Sequence, residues 1–161
     1  MLSNKYYLCK NEGNLSMNYS EIQLGAMMKL AKFTMVEASV GYIEHSLLHE
    51  TAEFKALISY LAFLTNSRSG VLLADKESRN ISLQEATTIV RAMSMTQKKY
   101  FCGLVGAILL ADGYVTNKEL EFWDDLSYQL DLPMMSIEEA ENIYQDFLKG
   151  FRENKFEHLK L

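Results

Sequence analysis

The stretch Tyr100–Glu121, YFCGLVGAILLADGYVTNKELE, limits what this chain can fold into more than any other. No charge falls between Tyr100 and Ala111, and Phe101, Leu104, Val105, Ile108 and Leu109 leave a helix there without a polar face. A helix that is apolar all round is a buried one. At about a dozen residues, the run is well short of the ~20 needed to span a bilayer. Gly103 and Gly106 cost helix propensity, but they let a neighbouring helix approach closely. Gly113 can supply the positive φ that ends a helix. The expectation is a central helix of an all-α domain, closed by an acidic turn.

The rest of the chain repeats the helical signal. From Ser20, a plausible N-cap by type, Ile22, Ala26, Met27, Leu30, Ala31 and Phe33 recur at helical spacing as far as about Gly41. Tyr42, Ile43, Leu47 and Leu48 lead into a helix with Phe54, Leu57, Ile58, Leu61 and Leu64, and Asn66–Gly70 (NSRSG) reads as its stop. Ser82–Glu85, Thr116–Glu119 and Ser136–Glu139 have the form of a capping box, and Ser94–Gln97 is its Gln variant. In each, the hydroxyl can accept the N3 amide while the N3 side chain reaches back to the cap. Helix starts are therefore expected near residues 83, 95, 117 and 137. Leu120, Trp123, Leu126 and Leu130 form the predicted apolar face of the third. Ile137, Ala140, Ile143, Tyr144, Phe147, Leu148 and Phe151 form that of the last. No alternating strand pattern competes, and Pro133 is the single proline. The reading is one compact bundle of six or seven helices over residues 19–161, preceded by an irregular arm over 1–18.

Size and charge narrow the classes of function. A chain of 161 residues buries roughly 70% of the surface exposed when unfolded, so its core needs no staples. The two cysteines, Cys102 in the apolar run and Cys9 in the arm, are not expected to pair, which suits a reducing compartment. Residues 1–18 lack the apolar core of a signal peptide. The expectation is a cytoplasmic protein without a membrane span. Ten acids between Asp112 and Asp146 face Lys118 alone. That segment nets −9, so the remainder must carry +4 to reach the overall −5. Such a field repels nucleic-acid phosphates and suits a cation or a basic protein partner.

The turn itself could carry chemistry. Asp112-Gly113-Tyr114-Val115-Thr116-Asn117-Lys118-Glu119 matches the second half of an EF-hand loop, with a ligand, a turn glycine, an inward apolar residue and a closing Glu. The two earlier ligand positions would be Ile108 and Leu110, which offer no side-chain oxygen, whereas Ca²⁺ wants six to eight oxygens. An ordinary EF-hand is excluded. The same residues also fit a scaffold role, with Gly113 ending a helix, Glu119 closing a capping box and Asp112 bonding turn amides. A second, looser copy of the pattern, Leu72-Leu73-Ala74-Asp75 before Ser82–Glu85, echoes Leu109-Leu110-Ala111-Asp112 before Thr116–Glu119.

Leu110-Ala111-Asp112-Gly113-Tyr114-Val115, with Glu119 seven residues after the Asp, resembles the signature of the tellurite-resistance TerB-like family. The resemblance covers roughly residues 94–150. It implies an all-helical domain of two related halves without an established enzymatic reaction. It also implies a role in tellurite-type stress response beside membrane-associated stress complexes. The acids of that signature are proposed to hold a divalent cation, which here would be Ca²⁺ or Mg²⁺ on Asp112 and Glu119, with Gly113 shaping the turn. Glu121, Asp124 and Asp125 could add oxygens or simply line a solvated face. Lys76 follows Asp75 where a first-half site would need glycine.

Other constellations are thinner. His45 and His49 are spaced i, i+4 with Glu53 one turn on, a spacing that can hold zinc, but no third ligand is evident. Cys102 has no evident activating base, and phosphate-loop, dinucleotide and nucleophile-elbow motifs are absent. The expected function is a non-enzymatic TerB-like module that binds a divalent cation or a protein partner through its acidic turn. The alternative is a metal-free interaction domain that uses the acidic face over residues 112–146.

Overall fold

A computed structural model describes residues 6–8, 18–39, 52–65, 68–111 and 113–152. Seven α-helices occur among them: α1 (Glu21–Thr34), α2 (Ala52–Thr65), α3 (Arg68–Ser78), α4 (Leu83–Arg91), α5 (Met95–Leu109), α6 (Asn117–Leu130) and α7 (Ile137–Arg152). The all-α bundle expected from periodicity is thus observed. Two short strands, β1 (Tyr6–Leu8) and β2 (Asn18–Ser20), pair antiparallel with Tyr7 opposite Tyr19. The irregular segment therefore contains a strand that its lack of period did not announce. Tyr19 is fully buried, and its hydroxyl donates to the Gln97 carbonyl at 3.1 Å, fastening the ribbon to the start of α5.

The four capping boxes form as the spacing predicts, with helices opening at residues 83, 95, 117 and 137. In the last, the Glu139 amide donates to Ser136 Oγ at 3.0 Å and the Ser136 amide donates to Glu139 Oε1 at 2.8 Å. A fifth box was not read from the sequence: Ser20 caps α1 together with Gln23. Gln97 Nε2 also donates to Gln23 Oε1 at 3.2 Å, so the boxes of α1 and α5 are joined side chain to side chain.

Helix α5 is buried from Phe101 to Leu109, as its composition requires. Gly106 is where α7 crosses it. A Cβ on Gly106 would lie 2.7 Å from the Glu141 amide nitrogen and 2.8 Å from Ala140 Cβ. Helix α1 shares the centre, packing on α3, α4 and α5, and it uses the same device. A Cβ on Gly25 would lie 2.6 Å from Glu77 Cβ of α3. Helices whose backbones approach this closely need a residue without a side chain at the crossing.

Several expectations change. Arg68, Ser69 and Gly70, read as part of a stop signal, instead begin α3. Ile22 and Leu120, counted on apolar faces, are exposed. After Thr34 the chain runs as a π-helical turn over Met35–Ser39 rather than continuing as α-helix towards Gly41. Thr34 Oγ1 donates back to the Leu30 carbonyl at 2.8 Å, a bond that bends helices. The turn keeps Met35 and Ala38 buried and turns Val36 and Glu37 outward. The side chains of Phe147, Leu148 and Phe151 lie outside the described residues, as do Gly41 to Leu48.

Candidate functional site

Helix α5 closes at Leu110, whose amide donates to the Gly106 carbonyl at 3.0 Å, and the Gly113 amide returns to the Leu110 carbonyl at 2.9 Å. Gly113 has φ +97° and no atom within 4 Å of a built Cβ, so conformation rather than crowding selects glycine. The turn leads to Thr116, extended at φ −88° and ψ 166°, which caps α6.

Glu119 is almost wholly buried (1% exposed). Its amide donates to Thr116 Oγ1 at 3.1 Å, and its Oε1 accepts from the Thr116 amide at 2.8 Å and the Thr116 hydroxyl at 3.2 Å. The carboxylate is therefore engaged as the return half of the capping box. Among the described residues, none donates a hydrogen bond to its Oε2. Asp112, the other expected ligand, lies outside the described residues. Glu121, Asp124 and Asp125 are exposed on α6. Among the described residues, no three His, Cys, Asp or Glu side chains gather in a group that could hold an ion. His45, His49 and the Glu53 side chain also lie outside them, as does Cys9.

The cap can be separated from any ligand role by substitution. Two helices of this chain, α1 and α5, already open with Gln in the return position. Glu119→Gln should therefore cost less than about 0.5 kcal/mol, whereas Glu119→Ala should cost about 1–2 kcal/mol by losing the box. Urea denaturation of the two variants checks this. Equal losses would mean that the charge of Glu119 matters beyond the cap.

The looser copy of the pattern is not equivalent. Asp75 lies within α3, which runs on to Ser78, and it is bracketed by ion pairs to Lys32 and Arg79. Its carboxylate already has two cationic partners, so it is not placed as a cation ligand.

Sequence reasoning missed Lys98. Its side chain is buried, and Nζ donates to the Asp131 carbonyl at 3.0 Å, with Asp131 Oδ2 3.9 Å away. Asp131 ends α6 at φ 54° and ψ 52°, a left-handed position usually given to glycine. Arg91 of α4 donates to the Gln129 carbonyl at 2.7 Å, so two cations from other helices serve the end of α6. A basic residue next to an apolar run was the only signal for Lys98, and it does not say which carbonyl the side chain reaches.

Cys102 is fully buried, and that burial pushes its thiol up to about 12 despite a backbone hydrogen bond and nearby Lys98, which act the other way. At neutral pH it is a small apolar side chain rather than a thiolate.

The acidic segment also presents apolar side chains to solvent. Tyr114, Leu120, Tyr128 and Met134 are all exposed, Tyr128 at 85%. On α6, Leu120, Asp124 and Tyr128 follow one another at four-residue spacing along one outward line.

No family model and no curated protein matches the chain. Among solved structures it is similar to a protein of unknown function from Porphyromonas gingivalis W83, at 27% identity and a TM-score of 0.65. The match covers 78% of this chain and 97% of the other. The helical arrangement therefore recurs in that protein.

Proposed function

We propose that this chain is a non-catalytic helical module that binds a basic protein partner through the outward face of α6. The observation that carries the reading is the Leu120–Asp124–Tyr128 line, where exposed apolar groups alternate with a carboxylate inside a segment of net charge −9. Exposed aromatic and aliphatic anchors ringed by charge are what a docking surface needs, the anchors for affinity and the charge for steering. A burial-neutralised Cys102 supports the non-catalytic part. The resemblance of Leu110–Val115 and Glu119 to the TerB-like signature supports placing the module in a tellurite-type stress response. Fluorescence polarisation with a labelled peptide of alternating Lys and Leu residues tests the face. Binding should weaken at least tenfold in a Leu120→Ala/Tyr128→Ala variant and fall steeply with salt. Equal affinity in the variant, or no saturable binding, sinks the proposal.

One observation favours a second reading, a divalent cation at the turn. Among the described residues none donates a hydrogen bond to Glu119 Oε2, and Gly113 shapes the turn that leads to its helix. Calorimetric titration of chelator-treated protein with Ca²⁺, Mg²⁺ and Zn²⁺, beside an Asp112→Asn/Glu119→Gln variant, tests that reading. It requires saturable heat from one ion that the variant abolishes.

A further inference from the structure

A different part of the surface has the opposite charge. The end of α1, the π-helical turn, the end of α3 and the start of α4 enclose an open cleft of about 520 Å³. Phe33, Val36 and Leu83 supply its apolar surface, Lys29, Lys32 and Arg79 its charged rim, and among the described residues that line it none is acidic. In a chain of net charge −5, three cations around one apolar hollow run against the overall balance.

Two of the three are held in place. Lys32 and Arg79 flank Asp75, which fixes their stems while leaving the local charge positive. Lys29, the third, makes no ion pair among the described residues. The π-helical turn contributes Val36, which it holds 42% exposed at the lip of the cleft. π-helical turns are rare and are found frequently at functional sites.

A second hollow adjoins it. Phe33 and Leu83 also line this one, of about 210 Å³, which lies between α1, α4 and α6 with Phe122, Asp125 and Gln129. Phe33 and Phe122 bridge the two elements with ring centroids 5.7 Å apart. Two hollows that share a wall thus make a trough with a cationic end, an aromatic divide and a polar far end.

We propose that this trough is a docking site for an acidic, apolar segment of a partner protein. Carboxylates of that segment would meet Lys29, Lys32 and Arg79, and its apolar side chains would cover Phe33, Val36 and Leu83. Charge complementarity selects an acidic occupant, since among the described residues the three cations outnumber the one carboxylate paired with them. Two adjoining open hollows suit an extended or helical peptide lying across both. This site is separate from the outward line of α6 and takes a partner of opposite charge.

The test is selection of phage-displayed random twelve-residue peptides on the full-length chain, followed by polarisation titrations of the recovered peptides. The expected result is enrichment of peptides that combine Asp or Glu with Leu, Phe or Trp. Their affinity should fall at least tenfold in Lys29→Glu and in Val36→Asp, and remain unchanged in Tyr128→Ala. Circular dichroism melting of each variant separates a lost contact from a lost fold. Lys29→Ala serves as the milder substitute if Lys29→Glu does not fold. No enrichment, enrichment of basic peptides only, or recovered peptides that bind both variants as well as the parent would overturn the proposal. So would concentration-dependent self-association abolished by the same two substitutions, which would make a second copy of the chain the occupant.

Discussion

Gly106→Val is expected to destabilise the domain by about 3 kcal/mol or more, the upper range for overpacking a close-fitting interior. The new side chain would meet the Glu141 amide nitrogen at 2.7 Å and the Ala140 carbonyl carbon at 2.9 Å. Both are backbone atoms of α7, so they cannot swing aside, and relief requires α7 to lift off α5. The helix propensity gained on losing a glycine, under about 1 kcal/mol, does not offset this. Against a total stability on the order of 5–15 kcal/mol, the loss should lower the melting temperature by roughly 10 °C. Gly113→Ala makes the contrast. It meets no atoms within 4 Å but must adopt φ +97°, and should cost about 1–2 kcal/mol from backbone strain alone. Thermal melting by circular dichroism compares the two. A Gly106→Val protein that melts within about 2 °C of the parent would show that α7 does not rest on that glycine.

Trp123→Ala should be comparably severe, at about 3–5 kcal/mol, the range for emptying a large aromatic site in a core. Trp123 is the only tryptophan, nearly buried on α6, and its Nε1 donates to the Met135 carbonyl at 2.9 Å. One side chain thus fills space under α6 and ties down the turn that precedes α7. Trp123→Phe separates the two roles. It keeps most of the packing but leaves the Met135 carbonyl without this donor, and should cost about 1–2 kcal/mol. Urea denaturation followed by far-UV circular dichroism measures both losses. Equal losses in the two variants would assign the whole effect to the hydrogen bond.

What the sequence made legible was chiefly local. A hydroxyl three residues before Glu or Gln marks a helix start because both partners of the box lie within one turn. Ser82, Ser94, Thr116 and Ser136 accordingly mark the starts of α4, α5, α6 and α7. The all-apolar composition of α5 likewise implies burial without reference to any neighbour. Contacts made at a distance were not legible. Gly25 looks like a weak point in α1 until Glu77 of α3 is seen against it. Leu120 falls on the apolar stripe of α6 by spacing but stands 46% exposed, because the stripe facing α4 is narrower than the spacing suggests. At the acidic turn, the capping box explains Glu119 and the positive φ explains Gly113. A spacing that satisfies a cap and a spacing that satisfies a ligand set are the same here, which is why the sequence left both readings open.

The capping boxes give this fold a direction. At least five helices carry their own beginning, written in side chains no more than three residues apart. The end of α6 closes on its own left-handed Asp131 and is also served from elsewhere, by Arg91 of α4 and Lys98 of α5. Before the helices meet, those five starts are therefore already marked, while the carbonyls at the end of α6 gain their two cationic partners only when its neighbours arrive. Nucleating a helix is the costly step, and a pre-set first turn lowers that cost wherever it occurs. Several segments can then begin to order independently, with mostly local contacts to satisfy first, the circumstance under which small domains fold quickly.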